Sequence, residues 1–190
     1  MSLEVYEYRP ADGFRPWERT DGSLARIRDD VPDGVSVAEG WVPPRGRLAP
    51  LPGRRRGDFP FAIDPTMSAR AREVLDPLIG HCGEWLRVET EGEDEDAFVI
   101  FNVTTVVDCI DEPASEMLRF DDGRPYAATQ LAFRPERLDP ARPVFRTPEG
   151  VTTAFYMLGP VVERVAEAGL VGLGDRLRWD AEGGPRLFPF

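Results

Sequence analysis

Lysine is absent from this chain of 190 residues, so all 23 of its basic residues are arginine. The acidic residues number 34, and the formal net charge is −11. A field of this sign repels polyanions, which argues against nucleic acid and anionic membranes as partners. A basic protein is the kind of partner that the charge favours.

Long hydrophobic runs are absent as well. The run at residues 97–101 has five residues, whereas a membrane-spanning helix requires about 20. The chain starts with MSLE, which is acidic where a secretory signal is basic, and no apolar segment follows. We therefore expect a cytoplasmic protein with no membrane partner.

Cysteine and histidine are scarce, with only Cys82, Cys109 and His81 in the chain. Two cysteines are too few for a disulfide framework and are typical of reduced thiols in the cytosol. A nucleophile pair formed by His81 and Cys82 is disfavoured, because helical neighbours point about 100° apart. No C-x-x-C, H-E-x-x-H or G-x-S-x-G motif occurs. The sequence thus predicts no catalytic residue, no metal and no cofactor.

The acidic residues are concentrated in one part of the chain. Residues 84–122 contain 13 acids and two arginines. We expect a partner-binding surface here, and the alternative for residues 91–96 is a solvated turn. Asp108 and Asp111 flank Cys109, where acid–base or metal chemistry is possible. We expect instead that Asp108 faces solvent and that Asp111 caps the next turn. The candidate partner-binding residues are Glu91, Glu93, Asp94, Glu95, Asp96, Asp108, Asp111 and Glu112.

A basic tract lies upstream, at residues 42–57, with Arg45, Arg47 and an arginine triplet at 54–56 in a proline- and glycine-rich setting. It has no interleaved aromatic residues, so nucleic-acid binding is disfavoured. We expect a mobile, solvated loop, or an internal contact with the acidic residues at 91–96.

The composition, 42% hydrophobic and 30% charged, is that of a folded globular chain. We expect a single domain over residues 1–190. Residues 1–56 contain short strand candidates at 3–8, 35–37 and 41–42 and a further element at 24–28, and their many prolines and glycines predict an irregular layer packed on the core at 57–190.

Two helices are predicted in that core. The first begins at Thr66 or Ser68 and runs to about Gly80, with Pro77 predicting an interruption near Asp76. The second has a proline in its first turn and glycine at 169 beyond its end. Residues 111–119 fit one or two helical turns. Strands are predicted at 85–89, 97–103, 106–110, 126–133, 144–146, 153–157 and 173–179, which gives an α+β fold with a mainly antiparallel sheet.

Residues 57–179 contain a series of short motifs: GDFP at 57–60, MSARAR at 67–72, GEWLRV at 83–88, FNV at 101–103, VDCID at 107–111, Ser115, FYM at 155–157 and AGLVGL at 168–173. This series resembles the motifs of a bacterial family of immunity proteins from polymorphic-toxin systems. Leu158-Gly159-Pro160 departs from the family, whose typical members carry a serine or similar cap there.

The resemblance implies a non-enzymatic protein that binds a cognate toxin and neutralises it, and it supplies no catalytic residues. The alternatives are a small hydrolase that uses Asp108, Cys109 or Asp111, and a regulatory or scaffold module that binds another protein.

Overall fold

The protein is α+β, as predicted. A computed structural model describes residues 3–20, 34–60, 65–123, 125–148 and 154–186. Within these residues the helices are α1 (Ala69–Ile79) and α2 (Gly159–Glu167), with 3-10 turns at Gly80–Cys82, Glu112–Ala114 and Pro135–Arg137. The strands are β1 (Glu4–Pro10), β2 (Trp17–Arg19), β3 (Arg45–Leu48), β4 (Thr66–Ser68), β5 (Gly83–Arg87), β6 (Glu89–Thr90), β7 (Phe98–Val103), β8 (Glu116–Arg119), β9 (Pro125–Gln130), β10 (Val144–Arg146), β11 (Phe155–Leu158), β12 (Leu173–Asp180) and β13 (Gly184–Pro185).

The largest sheet is antiparallel and has the order β10-β11-β1-β12-β13. Its middle strand is β1, in which Val5 lies opposite Leu158 on one side and Trp179 on the other. The strand predicted at residues 3–8 is therefore confirmed, but it is the middle strand of the sheet and not part of a layer packed on the core.

Two smaller sheets have the orders β2-β3-β6 and β4-β7-β5, and β8 pairs with β9. Strand β3 lies inside the basic tract and is the middle strand of its sheet, so the expectation of a mobile loop over 42–57 is wrong there. Residues 35–37 and 41–42 are described and form no strand. The candidate element at 24–28 lies outside the described residues.

Strand β7 is buried along its whole length. Phe98 and Ile100 pack on one side with Trp17 and Leu48, and the odd-numbered Phe101 packs on the other side against the helices. Both faces of β7 are thus covered, which explains why its sequence is apolar without alternation.

The helix signals of the sequence are confirmed. Ser68 caps α1, since its Oγ accepts the N–H of Ala71 at 3.0 Å. The helix continues through the exposed Pro77 to Ile79, so the predicted interruption is wrong. Helix α2 has a proline in its first turn, and Gly169, just beyond its C-cap Ala168, adopts φ +61. The Leu170 N–H then donates to the Val165 carbonyl at 3.1 Å, which completes a Schellman motif.

Both helices pack on one face of the five-stranded sheet, around Met67, Leu75 and Met157. The other face carries an aromatic cluster of Phe133, Phe145, Tyr156 and Trp179. No helix among the described residues is long and apolar enough to cross a membrane.

The segment after β7 departs from the prediction of a strand at 106–110. It forms only single bridges, Val106 with Arg146 and Ile110 with Phe133. At 111–119 one 3-10 turn forms and is followed by β8, so the predicted helical turns are confirmed only for Glu112–Ala114. The segment after β7 thus covers the edge at β10 instead of joining a sheet.

Candidate functional site

The acidic residues 91–96 form the turn between β6 and β7, and we call this segment the acidic turn. Gly92 adopts φ +76, a conformation that favours glycine. The N–H of Glu93 donates to the Thr90 carbonyl at 3.2 Å, and the Ala97 N–H donates to the Asp94 carbonyl at 3.0 Å. The backbone of the acidic turn is therefore ordered by its own hydrogen bonds.

The base of the turn is fixed to the core. Trp17 Nε1 donates to Thr90 Oγ1 at 3.0 Å, and both residues are buried. Gly46 lies in β3 beneath the Trp17 ring, where a Cβ would come within 2.3 Å of a ring carbon. Only glycine fits at this position. The Glu91 N–H donates to the Gly46 carbonyl at 2.8 Å, so β3 brings the basic tract against the acidic turn.

Arginines hold the carboxylates of the turn in place. Arg87 pairs with Glu95 and, at 3.3 Å, with Asp96, and Arg56 Nη2 lies 3.3 Å from Glu93 Oε2. The expected internal contact between the basic tract and the acidic turn is therefore confirmed at Arg56. Exposed pairs of this kind add little to stability, so their main effect is to orient the carboxylates.

The carboxylates remain accessible despite these pairs. The side chains of Glu95 and Asp96 are 79% and 72% exposed. Glu91 accepts a hydrogen bond from Thr20 Oγ1 at 2.8 Å, and the Asp94 carboxylate has no hydrogen bond or ion pair with any described residue. The acidic turn thus combines fixed geometry with exposed negative charge.

An open cleft of about 450 Å³ lies beside the acidic turn. Its walls are residues 56–58, the first turn of α1, the acidic turn with Ala97, and Val171. Asp58 is buried in one wall, where its Oδ1 accepts from Ser68 Oγ at 2.7 Å and its Oδ2 from the Val171 N–H at 2.9 Å. Arg70 Nη1 lies 3.6 Å from Asp58 Oδ2 and completes that wall.

The second acidic group lies at the other end of β7. Asp108 is 69% exposed and lies 3.6 Å from Arg134, and Glu112 pairs with Arg119 at 2.9 Å. Asp111 precedes the 3-10 turn but makes no side-chain cap, so the expected capping role is wrong. Its carbonyl instead accepts from Ser115 Oγ at 2.7 Å.

The two acidic groups are thus separated by the length of β7. Six residues of strand span about 20 Å, since each residue advances the chain by about 3.3 Å. The eight candidate residues form two surfaces rather than one, and only the acidic turn gathers five of them in one segment.

The residues of the hydrolase alternative do not converge. Cys109 is fully buried, and desolvation raises the pKa of its thiol to about 12. Asp108 is exposed beside Arg134, and its negative charge further raises the pKa of the Cys109 thiol instead of activating it. Cys82 is likewise buried, with a pKa raised by desolvation, whereas the neighbouring His81 is exposed and bonds through Nε2 to the Ala141 carbonyl.

Metal chemistry has no obvious location in the part of the chain that the structure describes. No group of three or more His, Cys, Asp or Glu side chains there is arranged to hold an ion.

A polar cluster that the sequence did not reveal surrounds Glu84. Its Oε1 accepts from the Val37 N–H at 2.7 Å and from Asn102 Nδ2 at 2.8 Å, and its Oε2 accepts from Ser36 Oγ at 2.6 Å. Desolvation raises the pKa of Glu84, but these hydrogen bonds outweigh it and leave the pKa below its ordinary value. The cluster fixes residues 35–37 to β5 and explains the polar break at Asn102 in an otherwise apolar strand.

A second unforeseen cluster lies in the five-stranded sheet. Glu7 and Arg178 are both only 6% exposed, with Arg178 Nε 3.2 Å from Glu7 Oε2 and Arg9 Nε 2.7 Å from Glu7 Oε1. Desolvation lowers the pKa of Arg178. The partners belong to β1 and β12, which lie far apart in sequence, so no local pattern indicates the pairing.

Comparisons with known proteins leave the family open. No family model matches the chain, and no curated protein matches it. The resemblance to toxin-immunity proteins therefore stays a prediction carried by the short motifs within residues 57–179.

Proposed function

We propose that this protein is an immunity protein, a non-enzymatic inhibitor that binds a cognate toxin and neutralises it. The observation that carries the proposal is the acidic turn, an exposed and internally braced set of carboxylates on a chain with a net charge of −11. The motif resemblance over residues 57–179 supports the same function.

The charge of the acidic turn suits a basic target, such as a toxin that acts on nucleic acid. Opposite charges on two proteins accelerate their encounter and suppress wrong partners. Because nucleic acid is itself a polyanion, an acidic inhibitor can occupy the basic surface that such a toxin uses for its substrate.

The ion pairs of Arg56 and Arg87 with the acidic turn also favour binding of a partner. Side chains that are already ordered lose less conformational entropy when a partner binds. The same arginines reduce the net charge that the turn presents, so we expect affinity to come from contacts at the turn and from neighbouring surface together.

The test is co-expression with the protein encoded beside this one, scored by cell survival and then by co-purification. Rescue together with a stable complex is the expected result. The proposal is overturned if the folded protein neither protects the cell nor binds any toxin encoded next to it.

A further inference from the structure

The charges that line the cleft beside the acidic turn are paired with each other, with one exception. Arg56 pairs with Glu93 at 3.3 Å, and Arg70 lies 3.6 Å from Asp58. Asp94, at the mouth of the cleft, has no ion pair or hydrogen bond to its carboxylate from any described residue. The lining therefore carries two balanced pairs and one uncompensated negative charge.

The paired residues are held by further contacts, so they are poorly available to a ligand. Arg70 Nη2 donates to the Ala168 carbonyl at 2.6 Å, which fixes the guanidinium against the end of α2. The Arg56 guanidinium lies 4.7 Å from the centroid of the Phe98 ring. Both oxygens of Asp58 already accept hydrogen bonds from Ser68 and Val171.

The dimensions of the cleft suit a side chain. A volume of about 450 Å³ lies within the range of small-ligand sites, roughly 300–1,000 Å³. The first helical residue, Ala69, is exposed in its wall and fills little of the space. A flexible side chain of a docked protein can therefore enter without displacing the existing ion pairs.

We propose that this cleft receives one basic side chain of the partner, whose cationic head pairs with Asp94. An anionic ligand would face three carboxylates against two guanidinium groups that are already engaged. A group with two positive charges would find only one uncompensated carboxylate. This inference rests on the proposed function, because it assumes a partner with a basic surface.

Anchoring in a cleft acts on dissociation, whereas the general field of the protein acts on association. D94N removes the uncompensated charge without touching either ion pair. We expect it to raise the dissociation rate of the toxin complex at least 10-fold. A69L keeps every charge and narrows the cleft, and we expect a change in the same direction.

The matched control is D121N, which neutralises an exposed aspartate in the turn that follows β8. Asp121 has no described ion pair or hydrogen bond to its carboxylate, so the change in net charge is the same. We expect its dissociation rate to stay within about threefold of wild type. Equal effects of D94N and D121N, or no effect of D94N and A69L on a complex that forms, would overturn the inference and leave the proposed function intact.

A second experiment tests the inference without the toxin. Nα-acetyl-arginine amide is titrated into the protein while the backbone amide signals of Ala69, Asp94 and Ala97 are followed by NMR, with acetate as the anionic probe. Saturable shifts with the arginine derivative that disappear in D94N support the inference. Absence of these shifts, or larger saturable shifts with acetate, would overturn it even if the chain binds no toxin.

Discussion

Asp58 and Val171 bind each other twice, although they lie far apart in sequence. The Asp58 N–H donates to the Val171 carbonyl at 2.7 Å, and Asp58 Oδ2 accepts from the Val171 N–H at 2.9 Å. The other carboxylate oxygen accepts from Ser68, the cap of α1. One buried residue thus joins the start of α1 to the segment that follows α2.

Replacement of Asp58 should destabilise the whole fold. D58A leaves the Val171 N–H and the Ser68 hydroxyl without their acceptor, and we expect the free energy of unfolding to fall by about 2–3 kcal/mol. Urea denaturation measures the loss. The control is E73A, which removes an exposed carboxylate from α1 and should change stability by less than about 0.5 kcal/mol. A D58A protein as stable as E73A would contradict the role assigned to this carboxylate.

Charge reversal in the acidic turn should slow association with the toxin. For E93K/D94K/E95K we expect the association rate at low salt to fall on the order of 10-fold or more, with a weaker dependence on ionic strength. Stopped-flow mixing measures both quantities. The matched control reverses Asp108, Asp111 and Glu112 at the other end of β7. If that control has the larger effect, the docking surface lies there instead.

Stability should depend on pH through Glu84. Because its pKa in the folded protein lies below the ordinary 4.5, its charged form stabilises the fold fully above about pH 4.5, and this contribution is lost as the pH falls through the folded-state value. E84Q should therefore be less stable than wild type at pH 7, and the difference should shrink below about pH 4.5. Denaturation series at several pH values test this. The difference between the two proteins cancels the contribution of Asp180, whose pKa is also lowered, mainly by the Gly183 N–H.

Both thiols should be unreactive in the folded protein. Burial raises the pKa of Cys82 and raises that of Cys109 to about 12, so little thiolate exists at pH 8. Iodoacetamide labelling followed by mass spectrometry should modify neither cysteine until urea unfolds the chain. Rapid labelling of Cys109 in the folded state would contradict this prediction and favour the hydrolase alternative.

The sequence predicts the helices well because their signals are local. The Ser68 cap, the proline in the first turn of α2 and Gly169 each act within a few residues of a helix end. Pro77 misleads because it lies near the end of α1 on its exposed side, where the loss of one backbone hydrogen bond is tolerated.

Most of the predictions that the structure contradicts concern pairings between strands that are distant in sequence. Nothing near β1 indicates that its partners are β11 and β12, so its central place follows only from the assembled sheet. Residues 106–110 have strand-like composition, yet they form only single bridges, and Cys109 and Ile110 pack against the aromatic cluster of the five-stranded sheet.

The candidate surface depends on local composition and on distant contacts. Composition identifies the acidic turn, but only the structure separates it from Asp108 and Asp111 by the length of β7. No sequence pattern indicates the cleft, because Asp58, Arg70 and Val171 come together from three separate segments. A lone charge such as Asp94 becomes recognisable only when the ion pairs of its neighbours are known.

The central place of β1 also governs how the chain acquires its structure. Strand β1 is synthesised well before β11 and β12, the strands between which it lies. The middle of the largest sheet therefore cannot form until β12 has been made, and many of its contacts have high sequence separation, which slows folding. We expect β1 to stay without its sheet partners until β11 and β12 have emerged from the ribosome.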